Sequence, residues 1–179
     1  MKGFSVMQPW AGLLARGEKR IETRSWCTGW RGLVAIHASK RFPRRLREMC
    51  DYGGVFYQDL APYFARDLYH VETGEPFGRG VPATISDLLP LGAIVAVGYL
   101  AEIITTERAL AACPVPVIGA RLSEKELRMG DYGPGRFAWV FREMVRLPEP
   151  IPCRGALGLW HLGKELEAWV REQIEMMAA

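Results

Sequence analysis

Metal-binding side chains are scarce in this chain. It has three histidines and four cysteines. Cys27, Cys50, Cys113 and Cys153 stand too far apart for a CxxC knuckle, and no histidine pair completes a zinc-finger spacing. No metal site is expected, nothing calls for a cofactor, and the thiols read as reduced structural residues. Long apolar runs are missing as well: none reaches the ~18 residues of a membrane span. Met1-Lys2-Gly3-Phe4 opens no apolar signal segment, so a soluble, cytoplasmic protein with no membrane partner is expected. No internal repeat or low-complexity tract is present. Excess charge of one sign is also lacking: 23 Lys and Arg face 20 Asp and Glu, for a formal charge of +3. That balance permits a polyanionic partner without demanding one.

What is present is core-forming material. The chain has 179 residues, 49% of them hydrophobic, with six tryptophans. That suits one packed domain with room for an insertion. Its densest stretch runs from Gly17 to Trp26, GEKRIETRSW. A short helix pattern precedes it: Pro9 occupies a first-turn position, Trp10 to Arg16 follow, and Gly17 stops them. Gln8 and Trp10 flank that helix start, where free N–H groups can meet an anion or a polar base edge; core packing and capping are the alternative. Arg20 to Trp26 alternates as a strand, placing Arg20, Glu22, Arg24 and Trp26 on one face. Glu22 and Arg24 are then opposite charges side by side, with Lys19 at the strand entrance. They read either as a structural ion pair or as a polar pocket with a stacking ring.

Downstream, Trp30-Arg31-Gly32 leads into a buried strand ending at His37, a residue suited to structural or acid–base work. Lys40, Arg41, Arg44, Arg45 and Arg47 follow closely, as a phosphate-binding cluster or a solvated helix face. Pro43 should start a helix through Met49. Residues 51–90 read as an aromatic-rich segment, helical over 55–70 with a break or kink at Pro62, then a Gly/Pro-rich loop over 72–82. They form an insertion of about 41–90, a lid or a contact for a protein partner. Leu91 to Thr105 reads as a long strand with a bulge at Gly98, and Thr106 as the cap of a short helix. Pro114 and Pro116 break the chain, and Ser123 to Glu126 is a capping-box pattern. Next comes GDYGPGRFAW, Gly130 to Trp139. It is a tight turn bringing Tyr132 and Arg136 to the mouth of a strand, to stack and to donate, or a plain hairpin turn. A last strand is expected over 155–162, and 164–179 as an amphipathic helix packed on a domain spanning 1–163. The tally is α+β: a small mixed β-barrel with flanking short helices.

These strings carry a resemblance. Gln8-Pro9-Trp10-Ala11, the Gly17, Lys19, Glu22, Arg24 spacing with Ser25-Trp26, Arg31-Gly32 and His37 resemble the first half of the ASCH domain, a PUA-like family. Gly130-Asp131-Tyr132, Pro134 to Trp139, Pro150-Ile151-Pro152, Gly155 and Gly158-Leu159-Trp160 resemble its second half. The resemblance implies a PUA-like barrel with a cleft beside the first helix, and binding of RNA, single-stranded nucleic acid or a modified nucleoside. Lys19, Arg24, Trp26, Tyr132 and Arg136 would line the cleft, with phosphates on the cluster holding Arg44 and Arg45. It also implies an enzymatic alternative, an acetylated-cytidine amidohydrolase or a ribonuclease. Lys19 matches the hydrolase lysine, Glu22 stands where that enzyme has threonine, and Glu126, or else Glu124, matches its glutamate. Glu22 would then act as a general base on water.

Overall fold

The computed structural model describes residues 1–68, 84–111, 115, 119 and 121–178. Strands run over Lys2–Val6 (β1), Ile21–Arg24 (β2), Gly32–Ala38 (β3), Ala93–Thr105 (β4), Phe137–Pro152 (β5) and Leu159–His161 (β6). They form one six-stranded sheet in the order β2-β5-β4-β3-β1-β6. β1 and β3 are parallel and the other pairs antiparallel. Alternation decides the faces. Phe4, Val6, Val34, Ile36, Trp139 and Phe141 point inward and form the main core with Ala11 and Leu14. Ala35, Ile94, Val97 and Ile151 point outward and pack with Leu162 and Val170.

The expected barrel is an open, curled half-barrel. β2 and β6 lie at opposite ends of the order and do not pair. β6 has three residues and reaches only as far as Phe4 on β1. Beyond it, the guanidinium of Arg24 on β2 donates to the Ser5 carbonyl at 2.9 Å. Register shifts along β4–β5, one of them between Val97 and Tyr99 across Gly98, bend the two long strands. The last strand is shorter than expected, because residues 155–158 form a loop whose Gly158 has φ +66°.

The described residues hold seven helices: Trp10–Ala15 (α1), Arg44–Glu48 (α2), Tyr57–Leu68 (α3), Ile85–Leu88 (α4), Thr106–Ala111 (α5), Glu124–Arg128 (α6) and Lys164–Ala178 (α7). α1 ends in a Schellman turn. Gly17 at φ +73° donates to the Leu14 carbonyl, and the Glu18 amide donates to that of Leu13. This turn carries the chain into β2 and drops Lys19 into the interior. α3 is continuous although Pro62 lies inside it. Pro62 faces solvent, while Leu60 and Phe64 hold the other side of the helix in a core with Leu13 and Phe56. Thr106 is not the cap of α5: its hydroxyl donates to Gly133 O, and Thr105 Oγ1 accepts the Arg108 N–H. The expected 72–82 loop, Tyr69, His70, Pro114, Pro116 and Cys113 lie outside the described residues. Among the described residues, no helix is long and apolar enough to cross a membrane.

Candidate functional site

A cleft of about 540 Å³ opens where the sheet fails to close. Ser5 and Val6 of β1 form one wall, and Glu22, Thr23 and Arg24 of β2 form the other. Trp10 and Trp26 frame it, and Met129 to Asp131 with Arg136 complete the β2 side. Met49 and Phe56, from the segment between β3 and β4, close the far end.

Strand period puts Glu22 and Arg24 on the inner face of β2, opposite Trp139 and Phe137. Arg24 Nε lies 3.2 Å from Glu22 Oε1, and its guanidinium lies 4.4 Å from the Phe4 ring centroid. With the bond to Ser5 O, this arrangement fixes the planar fork in place. Trp26 meets Trp139 edge-on at 4.6 Å, and its carbonyl accepts the Trp139 Nε1–H at 3.2 Å. Arg136 donates to Asp131 O and Thr23 O, while the Asp131 amide donates to Thr23 Oγ1. The GDYGPGR turn is thereby tied to β2.

Lys19 stands behind this wall and does not line the cleft. It is 1% exposed and donates to the Met129 carbonyl at 2.9 Å. Glu22 lies 3.8 Å from its Nζ and Glu126 3.9 Å. Burial pulls the lysine pKa down, against the pull of both carboxylates. Glu126 accepts the Arg20 and Ile21 N–H groups, each at 3.0 Å. Burial pushes its pKa up, with Lys19 and these N–H groups opposing. Two cations, Lys19 and Arg24, thus alternate with two carboxylates, and only Glu22 and Arg24 of the four face the cleft.

The other expected site residues lie elsewhere. Gln8 is fully buried, accepting the Gly12 N–H and donating to Pro90 O, so both ends of its amide are used. Tyr132 packs beside Ile21, Ile104 and Val140 on the outer side of β2, because residues alternate faces there. Its hydroxyl is buried without a partner, and burial drives its pKa up. Arg31 donates to Thr28 O and Trp30 O in its own loop. Arg44 and Arg45 are exposed on α2, outside the cleft, and Arg44 pairs with Glu48 at 2.8 Å. Glu124 is exposed in the first turn of α6.

His37 lies in an adjoining groove of about 860 Å³ that shares Ser5, Ser39 and Leu157 with the cleft. Its Nε2 is 3.3 Å from Cys153 O, and its Nδ1 is 3.2 Å from Ser5 Oγ. A carbonyl only accepts, so Nε2 carries the proton. Met49, Phe56 and Arg128 of the cleft, and Arg154 of the groove, carry no local sequence signal that would have found them. No group of described residues is arranged to hold a metal ion.

No family model matches the chain. A stretch of 48 residues, 26% of this chain, is 51% identical to Activating signal cointegrator 1 of Homo sapiens and covers 8% of that protein. A stretch of 40 residues, 22% of this chain, is 54% identical to the Mus musculus protein of that name, over 7% of its length. The chain therefore spans less than a tenth of the curated relatives it matches. Among solved structures, ASCH from Zymomonas mobilis aligns with 96% of this chain and 93% of its own, at TM-score 0.50 and 14% identity. A point mutant of it aligns over 96% of both chains at TM-score 0.51 and 14% identity. At such identity the likeness is one of fold.

Proposed function

By its fold the chain is an ASCH domain, and on that premise we propose that it binds single-stranded nucleic acid, RNA foremost, by taking one unpaired base into the cleft. The observation that carries the reading is the fixed Glu22–Arg24 pair facing a cleft framed by Trp10 and Trp26. A base needs a flat apolar surround and a polar edge partner. The tryptophans supply the first. Glu22 accepts and Arg24 and Arg136 donate, which matches a base edge carrying an amino group beside a carbonyl oxygen, as in cytosine and guanine. Stacking on an aromatic ring contributes ~1–3 kcal/mol per base. The test is fluorescence anisotropy with labelled single-stranded RNA homopolymers. Cytosine- or guanine-containing strands should bind in preference to uracil-only strands, and Trp26→Ala and Glu22→Gln should each weaken binding about tenfold. Equal binding by wild type and both variants would remove the reading.

A second reading is supported by the contact between buried Lys19 and Glu22. A carboxylate in a cleft backed by a lysine of lowered pKa fits general-base hydrolysis, with Glu22 activating water and Lys19 holding its charge. Incubation with acetylated cytidine, and separately with labelled RNA, tests it. Product formation by wild type that is absent from Lys19→Ala and Glu22→Gln supports hydrolysis, and no product above the variants sinks it.

A further inference from the structure

The groove beside the cleft differs from the rest of the surface in its charge. Lys40, Arg41 and Arg154 line it, and no carboxylate does. None of the three makes an ion pair with a described carboxylate. Other cations around the site are neutralised: Arg47 by Asp87, Arg128 by Asp59, Arg136 by Asp131 and Lys125 by Glu18. Clustered unpaired cations repel one another and raise the local potential, so the groove is a focus for an anion. Its wall is built for close approach. A Cβ on Gly155 would come within 2.6 Å of His37 and Ser5 side-chain atoms, so only bare backbone fits there. Ser39 accepts the Arg41 N–H through its hydroxyl oxygen, which leaves its O–H to donate. Burial, and to a lesser degree the Lys40 charge, keeps His37 from adding a fourth cation.

We propose that this groove holds a phosphate of the strand whose base occupies the cleft, with Lys40, Arg41 and Arg154 as its charge partners. The shared residues Ser5, Ser39 and Leu157 place the two compartments side by side, as base and backbone are in a nucleotide. The ligand is then a nucleotide within single-stranded nucleic acid and not a free nucleoside, and α2 plays no part in holding the backbone. This inference rests on the base-binding reading of the cleft.

The experiment compares wild type with Arg41→Ala/Arg154→Ala and with Arg44→Ala/Arg45→Ala, using anisotropy of a short labelled single-stranded RNA over a salt series. All four arginines are exposed, and circular dichroism melts check that each variant folds. The groove variant should bind about tenfold more weakly at low salt, and its log–log salt slope should fall by about 1.4, at about 0.7 per lost phosphate contact. The α2 variant should bind as wild type does. Wild-type affinity and slope in the groove variant, with binding still abolished by Trp26→Ala, would sink the phosphate assignment alone. Equal losses in both double variants would also overturn it, because they would mean diffuse attraction. Failure of wild type to bind any strand would remove the base-binding reading and this inference with it.

Discussion

Lys19 is held between Glu22 and Glu126 at 1% exposure, with Met129 O as its hydrogen-bond acceptor. Replacing it with methionine keeps most of the volume but removes the charge that both carboxylates face. Breaking a buried ion pair from one side costs about 3–5 kcal/mol. Lys19→Met should lose stability of that size in urea unfolding, and adding Glu22→Gln should restore part of it by removing one of the stranded charges. No recovery in the double variant would argue against a coupled cluster. His37 makes a pH-dependent contribution. Burial holds its imidazole below its ordinary 6.5, with the Cys153 carbonyl opposing and Lys40 adding to the shift. The unfolded chain therefore takes up a proton that the folded chain resists, and ∂ΔG/∂pH is positive in that window. The contribution is fully present above about pH 6.5 and is lost as pH falls toward the folded value. Thermal melts should show wild type losing more stability than His37→Gln between about pH 6.5 and pH 5.

The joint between α6 and β2 shows what local sequence can and cannot reveal. Ser123 and Glu126 form a legible capping box, and Ser123 Oγ accepts the Glu126 N–H at 3.1 Å. Local logic would return the Glu126 carboxylate to the cap. It turns instead to Arg20 and Ile21, more than a hundred residues earlier in the chain, because the start of β2 offers two N–H donors. Such partners are set by tertiary packing and leave no mark on nearby spacing. Glu126→Gln keeps one acceptor but aims an amide N–H at a second donor. The loss should be about 1–3 kcal/mol, with faster hydrogen exchange at Arg20 and Ile21. Unchanged exchange at both amides would mean that β2 is held by its ladder to β5 alone. The same tertiary override explains α3. Pro62 reads as a break, but the buried face of Leu60 and Phe64 carries the helix past it.

Across the whole molecule, the two motif-dense strings were legible as walls of one cleft, because charge and tryptophan at strand period can only sit at a polar opening in the core. Tyr132 was not legible, since one step along a strand changes the face. The basic cluster misled at Arg44, because sequence shows where charge is and not whether Glu48 neutralises it. Arg154 was invisible as a lone cation in a Pro/Gly stretch. The position of the cleft has an energetic consequence. β1 and β2 are joined there by the Arg24–Ser5 bond and side-chain packing, with no β-ladder between them. A ligand touching both walls adds a cross-link to the folded state that the unfolded chain lacks. At a hundred times Kd it should add about 2.7 kcal/mol to unfolding. Single-stranded RNA should therefore raise the melting temperature in a concentration-dependent way, and slow hydrogen exchange at residues 5–7 of β1 and its following turn and at 22–24 of β2. Trp26→Ala starts less stable, having lost its contact with Trp139, so the ligand-induced increment is compared and not the absolute melt. That increment should shrink in the variant. An undiminished increment, or protection spread evenly over the sheet, would place the ligand somewhere other than the gap between β1 and β2.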